Sequence, residues 1–334
     1  MNDNTIPNLL ADENSNVSLI VDKLLNHGFT HEYFWIEGES YSRFQKAGYN
    51  AWLTRNAHLS YPMTNPVVSY VCKHKHLSYE YAERLHITTP QTVKISLDDG
   101  ADTAELTNLL DNCKKLVVKP ADLAKSTGLT VNITTSAQLE KAITYAQEQS
   151  DSVLVQQQVT GDEIRFMIFK GEATAALLRQ TPRLRGDGMS TVSDLFKQEN
   201  IERQAISDTL VAYPQLPESL VANLTPTSVP KKDEIIPLSQ STLISGGASV
   251  YEVINQVHIS YIEIAEKIAK HIGAEFIVID LMIHDYTLPS TDKNYALIEF
   301  NELPSLKLCY SCRDGQHYDV LSDLIPMVID TLKH

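Results

Sequence analysis

The stretch Tyr295-Ala-Leu-Ile-Glu-Phe-Asn-Glu-Leu-Pro-Ser-Leu306 decides how this chain is read. Its apolar run predicts a strand, and Glu299 and Asn301, two residues apart, then project from one face. A carboxylate beside an amide oxygen suits a hard cation such as Mg²⁺, which takes oxygen ligands and keeps waters and phosphate oxygens in its remaining positions. Upstream, Phe276-Ile-Val-Ile-Asp-Leu-Met-Ile283 is a second apolar run broken by one acid, Asp280. A buried acid is costly unless it is paired or metal-bound. Asp280, Glu299 and Asn301 on neighbouring strands would make a nucleotide–metal site. The competing reading leaves Glu299 and Asn301 in water at a strand end, with Asp280 capping a turn.

At 334 residues the chain has room for two or three domains. Hydrophobic content of 43% with 21% charged residues is ordinary for a globular protein, so a packed core is expected rather than disorder. No apolar run reaches the roughly 18 residues that span a bilayer, and no basic amphipathic helix marks a membrane surface. The opening Met1-Asn-Asp-Asn-Thr-Ile-Pro7 has no basic cluster ahead of an apolar core, so neither a signal nor a transit peptide is expected. Cys72, Cys113, Cys309 and Cys312 are too few and too scattered for a disulfide framework. The expected location is cytoplasmic. A net charge of −14 argues against a general nucleic-acid binder, which needs a basic face to replace phosphate counterions. It does not argue against a nucleotide site, where a few local cations decide.

Residues 1 to about 70 mix helical and extended pieces, Val17 to His27 and Tyr33 to Ile36, and predict a small α/β cap. A short helix over Leu77–Leu85 follows. Next comes a β-rich unit with one clear helix. Its strands are Leu116–Lys119, Leu129–Ile133 and Ser152–Gln156, and its helix opens at a capping pair, Thr135 and Gln138. A strand over Ile164–Phe169 turns at Lys170-Gly171 into a partner at Ala175–Leu178. The polar, proline-interrupted region Asp187–Leu243 predicts short helices and an ordered excursion, with Lys231-Lys-Asp-Glu234 solvated. A helix over Val257–Ile272 stops at Gly273, and a last one runs from about Asp319 to Leu332.

Several polar residues stand out on this scaffold. Lys119 closes an apolar strand beside Pro120; it either snorkels to solvent or meets an anion. The following loop, Ala121-Asp-Leu-Ala-Lys-Ser-Thr-Gly128, offers small and hydroxyl residues whose backbone N–H groups suit phosphate, with one glycine only. Glu163 and Arg165 share a strand face; the acid suits ribose hydroxyls and the arginine a phosphate or carboxylate, against the alternative of a cross-strand salt bridge. Arg179, Arg183 and Arg185 lead into Gly186-Asp-Gly-Met-Ser-Thr191, an anion site or an ordinary basic loop. Ser245-Gly-Gly247 is a turn able to close over a substrate, or a plain hairpin turn. Cys309-Tyr-Ser-Cys312 lacks the second pair that a zinc site needs. Neither a Walker loop, a dinucleotide fingerprint nor a nucleophile elbow is present.

The order of Leu116-Val-Val-Lys-Pro120, Val153 to Arg165, Gly186 to Val192, Ser245-Gly-Gly247, Ile279-Asp-Leu281 and Ile298 to Pro304 resembles the ATP-grasp superfamily of carboxylate–amine ligases. It is similar in particular to the ATP-grasp portion of cyanophycin synthetases and of bifunctional glutathione-forming ligases, from about Lys75 to the C-terminus. The resemblance implies an α/β (α+β) ATP-grasp fold of two subdomains, 75–160 and 161–334, clamping ATP behind a cap over 1–74. It implies that Lys75 and Lys119 hold ATP phosphates, that Gln156, Gln157 and Val159 lie along the adenine, and that Glu163 takes the ribose. Asp280, Glu299 and Asn301 would bind two Mg²⁺ ions, or Mn²⁺, and Arg165 and Arg179 would be the anion-stabilising catalytic cations. Gln156 stands where an acid is common, and Cys309 near where a histidine often stands. The function implied is peptide or amide bond formation through an acyl phosphate on amino-acid or peptide substrates. The rival is a catalytically silent ATP-binding module. A homodimer is compatible with either, and no nucleic-acid or membrane partner is expected.

Overall fold

The computed structural model describes residues 16–36, 39–46, 49–54, 64–96, 103–123, 127–206, 213–302, 304–313 and 316–331. In chain order these form α1 (Asn16–Asn26), β1 (Thr30–Ile36), β2 (Glu39–Lys46), β3 (Tyr49–Thr54), α2 (Pro66–Lys73), α3 (Lys75–Arg84), β4 (Thr92–Ser96), α4 (Thr103–Asn112), β5 (Leu116–Pro120), β6 (Thr130–Ile133) and α5 (Ser136–Gln147). The second half follows as β7 (Ser152–Gln157), β8 (Asp162–Phe169), β9 (Glu172–Gln180), β10 (Arg183–Arg185), α6 (Val192–Ala205), β11 (Ile235–Pro237), β12 (Ser249–Glu252), α7 (Ile259–Ile272), β13 (Phe276–Ile283), β14 (Tyr295–Asn301) and α8 (Val320–Thr331). The mixed α/β class expected from the sequence is what forms. None of the described helices is long and apolar enough to cross a membrane.

The chain divides into two compact units, each drawn from separated segments. One takes its described residues from 65–174 and 255–302. Here β4, β7, β5 and β6 make an antiparallel sheet in that order. Val93, Ile95, Leu116, Val118, Val153 and Val155, alternating along its strands, form one core with Leu106 and Leu109 of α4 and Leu139, Ala142 and Ala146 of α5. Helix α5 starts where the capping pair predicts it, with Thr135 Oγ1 accepting from the Gln138 amide at 3.3 Å. The sequence reading lacks α2, β4 and α4, elements of only 8, 5 and 10 residues. A second antiparallel set, β8, β13 and β14, carries the acid-bearing strands. Helix α7 packs on β8 and β13, and α2 and α3 pack on β14. Gly273 ends α7 with φ +70°, the left-handed cap that only glycine adopts cheaply.

The other unit takes its described residues from 1–64, 175–254 and 303–334. Strands β1, β2 and β3 form an antiparallel meander, and α1, with Ile20, Val21 and Leu24 buried, packs on α8, with Val320, Leu324 and Val328 buried. The Ala175–Gln180 part of β9 pairs with β12. The proline-rich excursion contains a short 3₁₀ helix over Glu218–Leu220 and the longer, 14-residue α6, opened by a capping box in which Asp194 replaces the usual Glu or Gln. Its buried stripe is Val192, Phe196 and Arg203, so a hydrophobic count loses the third position to an arginine. Arg203, 1% exposed, donates from Nε to Glu199 at 2.9 Å and from Nη2 to the carbonyl of Gly247. Arg313 reaches the same Glu199 at 2.6 Å. The Ser245-Gly-Gly247 segment is therefore a tight turn pinned from α6, with Gly247 at φ +96°, and not a hairpin turn.

The turn from β7 to β8 places Gly161 at φ +141°, where an added Cβ would sit 2.4 Å from the Ile283 carbonyl oxygen. Gly161→Ala is expected to cost about 1–3 kcal/mol through this overlap and the strained backbone. Denaturant unfolding measures it, and a cost near zero would mean that the two strand ends separate freely.

Candidate functional site

Strand register builds the centre of the site. Asp280 of β13 is the ladder partner of both Arg165 on β8 and Glu299 on β14. Ladder partners point to the same side of a sheet, so Arg165, Asp280 and Glu299 form a row across three strands. Arg165 grips Asp280 as a fork, Nε to Oδ1 at 2.8 Å and Nη2 to Oδ2 at 2.6 Å. Nη2 lies 3.9 Å from Glu299 Oε1. Asp280 is 1% exposed and Arg165 6%. Burial opposes the charge on Arg165, but the Asp280 carboxylate and its hydrogen bonds, then Glu299 and Glu163, outweigh that and hold its pKa above the ordinary value. A cross-strand salt bridge of Arg165 is present, with Asp280 as its partner, and it is buried rather than at the surface.

Asn301 sits one row further along the same face, opposite Val278, and the buried Glu163 lies opposite Met282. Between Leu297 and Glu299 the ladder skips a residue, leaving Ile298 as a bulge beside the acid. The Ile298 carbonyl accepts instead from the Tyr79 hydroxyl at 2.7 Å, and that oxygen accepts from Lys119 Nζ at 3.0 Å. Lys119 Nζ lies 5.6 Å from the Tyr79 ring centroid, beyond the hydroxyl end of the ring. Lys75 opens α3 and donates from Nζ to the Leu123 carbonyl. Burial lowers its pKa, Glu299 opposes that, and Lys119 lowers it further. The two predicted phosphate lysines and Glu299 thus share one electrostatic neighbourhood.

Gln156 is buried on β7 and donates to Thr92 Oγ1 at 2.7 Å. Its neighbour Gln157 donates its amide to the Gln91 carbonyl at 2.8 Å, and Val159 follows, half-buried. Of the phosphate loop, Ala124, Lys125 and Ser126 lie outside the described residues, as does Leu303 of the acid motif. Arg179 belongs to the other unit, where Nε donates to the Thr242 carbonyl at 3.2 Å. Arg185, also there, is 71% exposed and pairs with Asp233 at 2.8 Å, an ordinary solvated contact. Cys309 and Cys312 are buried thiols, not joined in a disulfide. Tyr79 and the Ile298 bulge escape the sequence reading. The signal for Tyr79 was its place on the buried side of α3 with Ser78 and Ala82; for Ile298, one more apolar residue in an apolar run, there was none.

The donors suit a hard cation. Each Asp280 oxygen spends one lone pair on the Arg165 fork and keeps another, Glu299 is 28% exposed at the side chain, and Asn301 adds an amide oxygen. Among the described residues no three His, Cys, Asp or Glu side chains form a ready-made cage. Mg²⁺ does not require one, since waters and phosphate oxygens complete its shell.

Residues 101–197 match the family described as D-ala D-ala ligase C-terminus. The glutathione biosynthesis bifunctional protein GshAB of Streptococcus agalactiae is 28% identical over 283 residues, 79% of this chain and 37% of that protein. The cyanophycin synthetase of Geminocystis herdmanii is 25% identical over 222 residues, 64% of this chain and 25% of that one. The chain therefore spans well under half the length of the curated relatives it matches. The crystal structure of a bifunctional glutathione synthetase from Pasteurella multocida superposes with a TM-score of 0.64 at 20% identity, over 96% of this chain and 45% of that one. The ATP-grasp resemblance and fold expected from the sequence are borne out.

The fork changes what substitutions at the centre should do. Asp280→Asn strands a buried guanidinium and is expected to cost about 3–5 kcal/mol of stability. Asn301→Ala, on the outer strand, is expected to cost about 1 kcal/mol. Chemical unfolding of both variants measures the difference, and equal small losses would mean Arg165 finds other partners.

Proposed function

We propose that this chain is an ATP-dependent carboxylate–amine ligase that forms an amide or peptide bond through an acyl phosphate and releases ADP and phosphate. The observation that carries the reading is the Arg165–Asp280–Glu299 row, with Lys119 tied through the Tyr79 hydroxyl to Ile298, the residue next to Glu299. Phosphoryl transfer asks a protein for positioning and charge neutralisation more than for a nucleophile, and this unit is rich in both. The likeness to proteins named as glutathione-forming, cyanophycin-forming and D-alanine-joining ligases supports the same class.

In this reading Lys119 and Lys75 bind the ATP phosphates, Glu163 accepts from the ribose, and Gln156, Gln157 and Val159 line the adenine. Asp280, Glu299 and Asn301 hold two Mg²⁺ ions, or Mn²⁺, which would supply positive charge to the phosphate oxygens. Arg165, held in its fork with Asp280, and Arg179 are the anion-stabilising catalytic cations. The substrate carboxylate attacks the γ-phosphorus and ADP leaves. The amine nitrogen then attacks the acyl carbon, phosphate leaves, and the nitrogen gives up its proton. The substrates are amino acids or a short peptide. The functional division is a cap over 1–74, a small subdomain over 75–160 and a large one over 161–334.

Phosphate release measured with pooled amino acids and dipeptides tests the class. Release that needs both a carboxylate donor and an amine is expected; release without an amine would make the chain a kinase, and ATP binding without turnover a silent module. Lys119→Ala is expected to weaken ATP binding by about 1.5–3 kcal/mol, the worth of a charged hydrogen bond. Calorimetry reads it, and unchanged affinity would leave Lys119 a snorkelling residue.

A further inference from the structure

We propose that Tyr79 is a positioning residue, which fixes the Lys119 ammonium against the β14 bulge beside Glu299. The inference rests on the ligase reading only for its nucleotide arm. Tyr79 is 4% exposed, so its hydroxyl must find partners inside the protein. A phenol has one hydrogen to donate and lone pairs to accept with. The hydrogen goes to the carbonyl of Ile298, the residue without a β13 register partner, and a lone pair takes the Lys119 ammonium.

The consequence is geometric. Lys119 closes β5 in the four-stranded sheet, while Glu299 follows Ile298 on β14 in the other strand set of the same unit. A four-carbon lysine stem sweeps a wide volume when untethered. One oxygen atom on α3 removes that freedom and sets the distance between the cation and the acid row. It does so from the helix that Lys75 opens, so both lysines take their placement from α3. A cation that is already in place spends less entropy when an anion arrives.

Tyr79→Phe keeps the ring and its volume and deletes only the oxygen. In the full-length, nucleotide-free protein, amine labelling with an acetylating reagent, quantified at Lys119 by mass spectrometry, should run about threefold to tenfold faster in Tyr79→Phe. An unchanged rate overturns the proposal, with or without ATP binding. In calorimetry with Mg·ATP, Tyr79→Phe should weaken binding severalfold in the wild-type background and not at all beside Lys119→Ala. Equal losses in both backgrounds would make Tyr79 a packing residue and overturn its positioning role. A wild-type protein that does not bind ATP would remove the ligase reading, and the labelling rates would still decide what Tyr79 does to Lys119.

Discussion

The buried pair of Arg165 and Asp280 is the constraint around which the site unit is organised. Neither ion could stay where it is alone, because a lone charge in an apolar interior is far more costly than a poor contact at the surface. Together they fix the pairing of β8 with β13. A slip of one residue would turn the arginine to one face and the aspartate to the other, and strand both. The opposite ladder of β13, with β14, has its own register. That register delivers Glu299 next to the pair and Asn301 one row away.

The second unit solves a related problem with different parts. Arg203 completes the inner stripe of α6, where an aliphatic residue would be expected, and Glu199 is shared between Arg203 and Arg313. The shared carboxylate gives the two guanidiniums a reason to coexist. The Arg203 hydrogen bond to the Gly247 carbonyl turns a helix-packing residue into the anchor of a glycine turn. In both units a charged residue in a buried stripe specifies geometry that hydrophobic packing alone leaves loose.

Much of this was legible in the chain itself, for identifiable reasons. The acid-bearing strands could be read because their apolar runs are long and each acid stands out against them. The Thr135 cap and the Gly273 stop could be read because each satisfies a specific backbone need. Helix α6 could not, since an arginine fills one core position and an aspartate serves in its capping box. The site was legible as a set of residues but not as a set of contacts: that each Asp280 oxygen accepts one hydrogen bond from Arg165 depends on a register between strands more than a hundred positions apart. Tyr79 was invisible for the same reason. Its partners come from two other elements, and no local pattern marks them.

The bulge at Ile298 has a bearing on how the protein keeps to itself. β14 is the outer strand of its set, and an outer strand offers free amides and carbonyls that another chain could zip onto. Here the Leu297 amide donates to the Thr88 carbonyl at 2.9 Å, and the Ile298 carbonyl takes the Tyr79 hydroxyl. Two successive residues are thus capped by groups that cannot propagate a ladder, and the skipped register adds twist. The same contacts that place a lysine also leave no straight stretch of edge on which a stray strand could nucleate, so an apolar run that would otherwise invite aggregation is closed to strand addition at its middle.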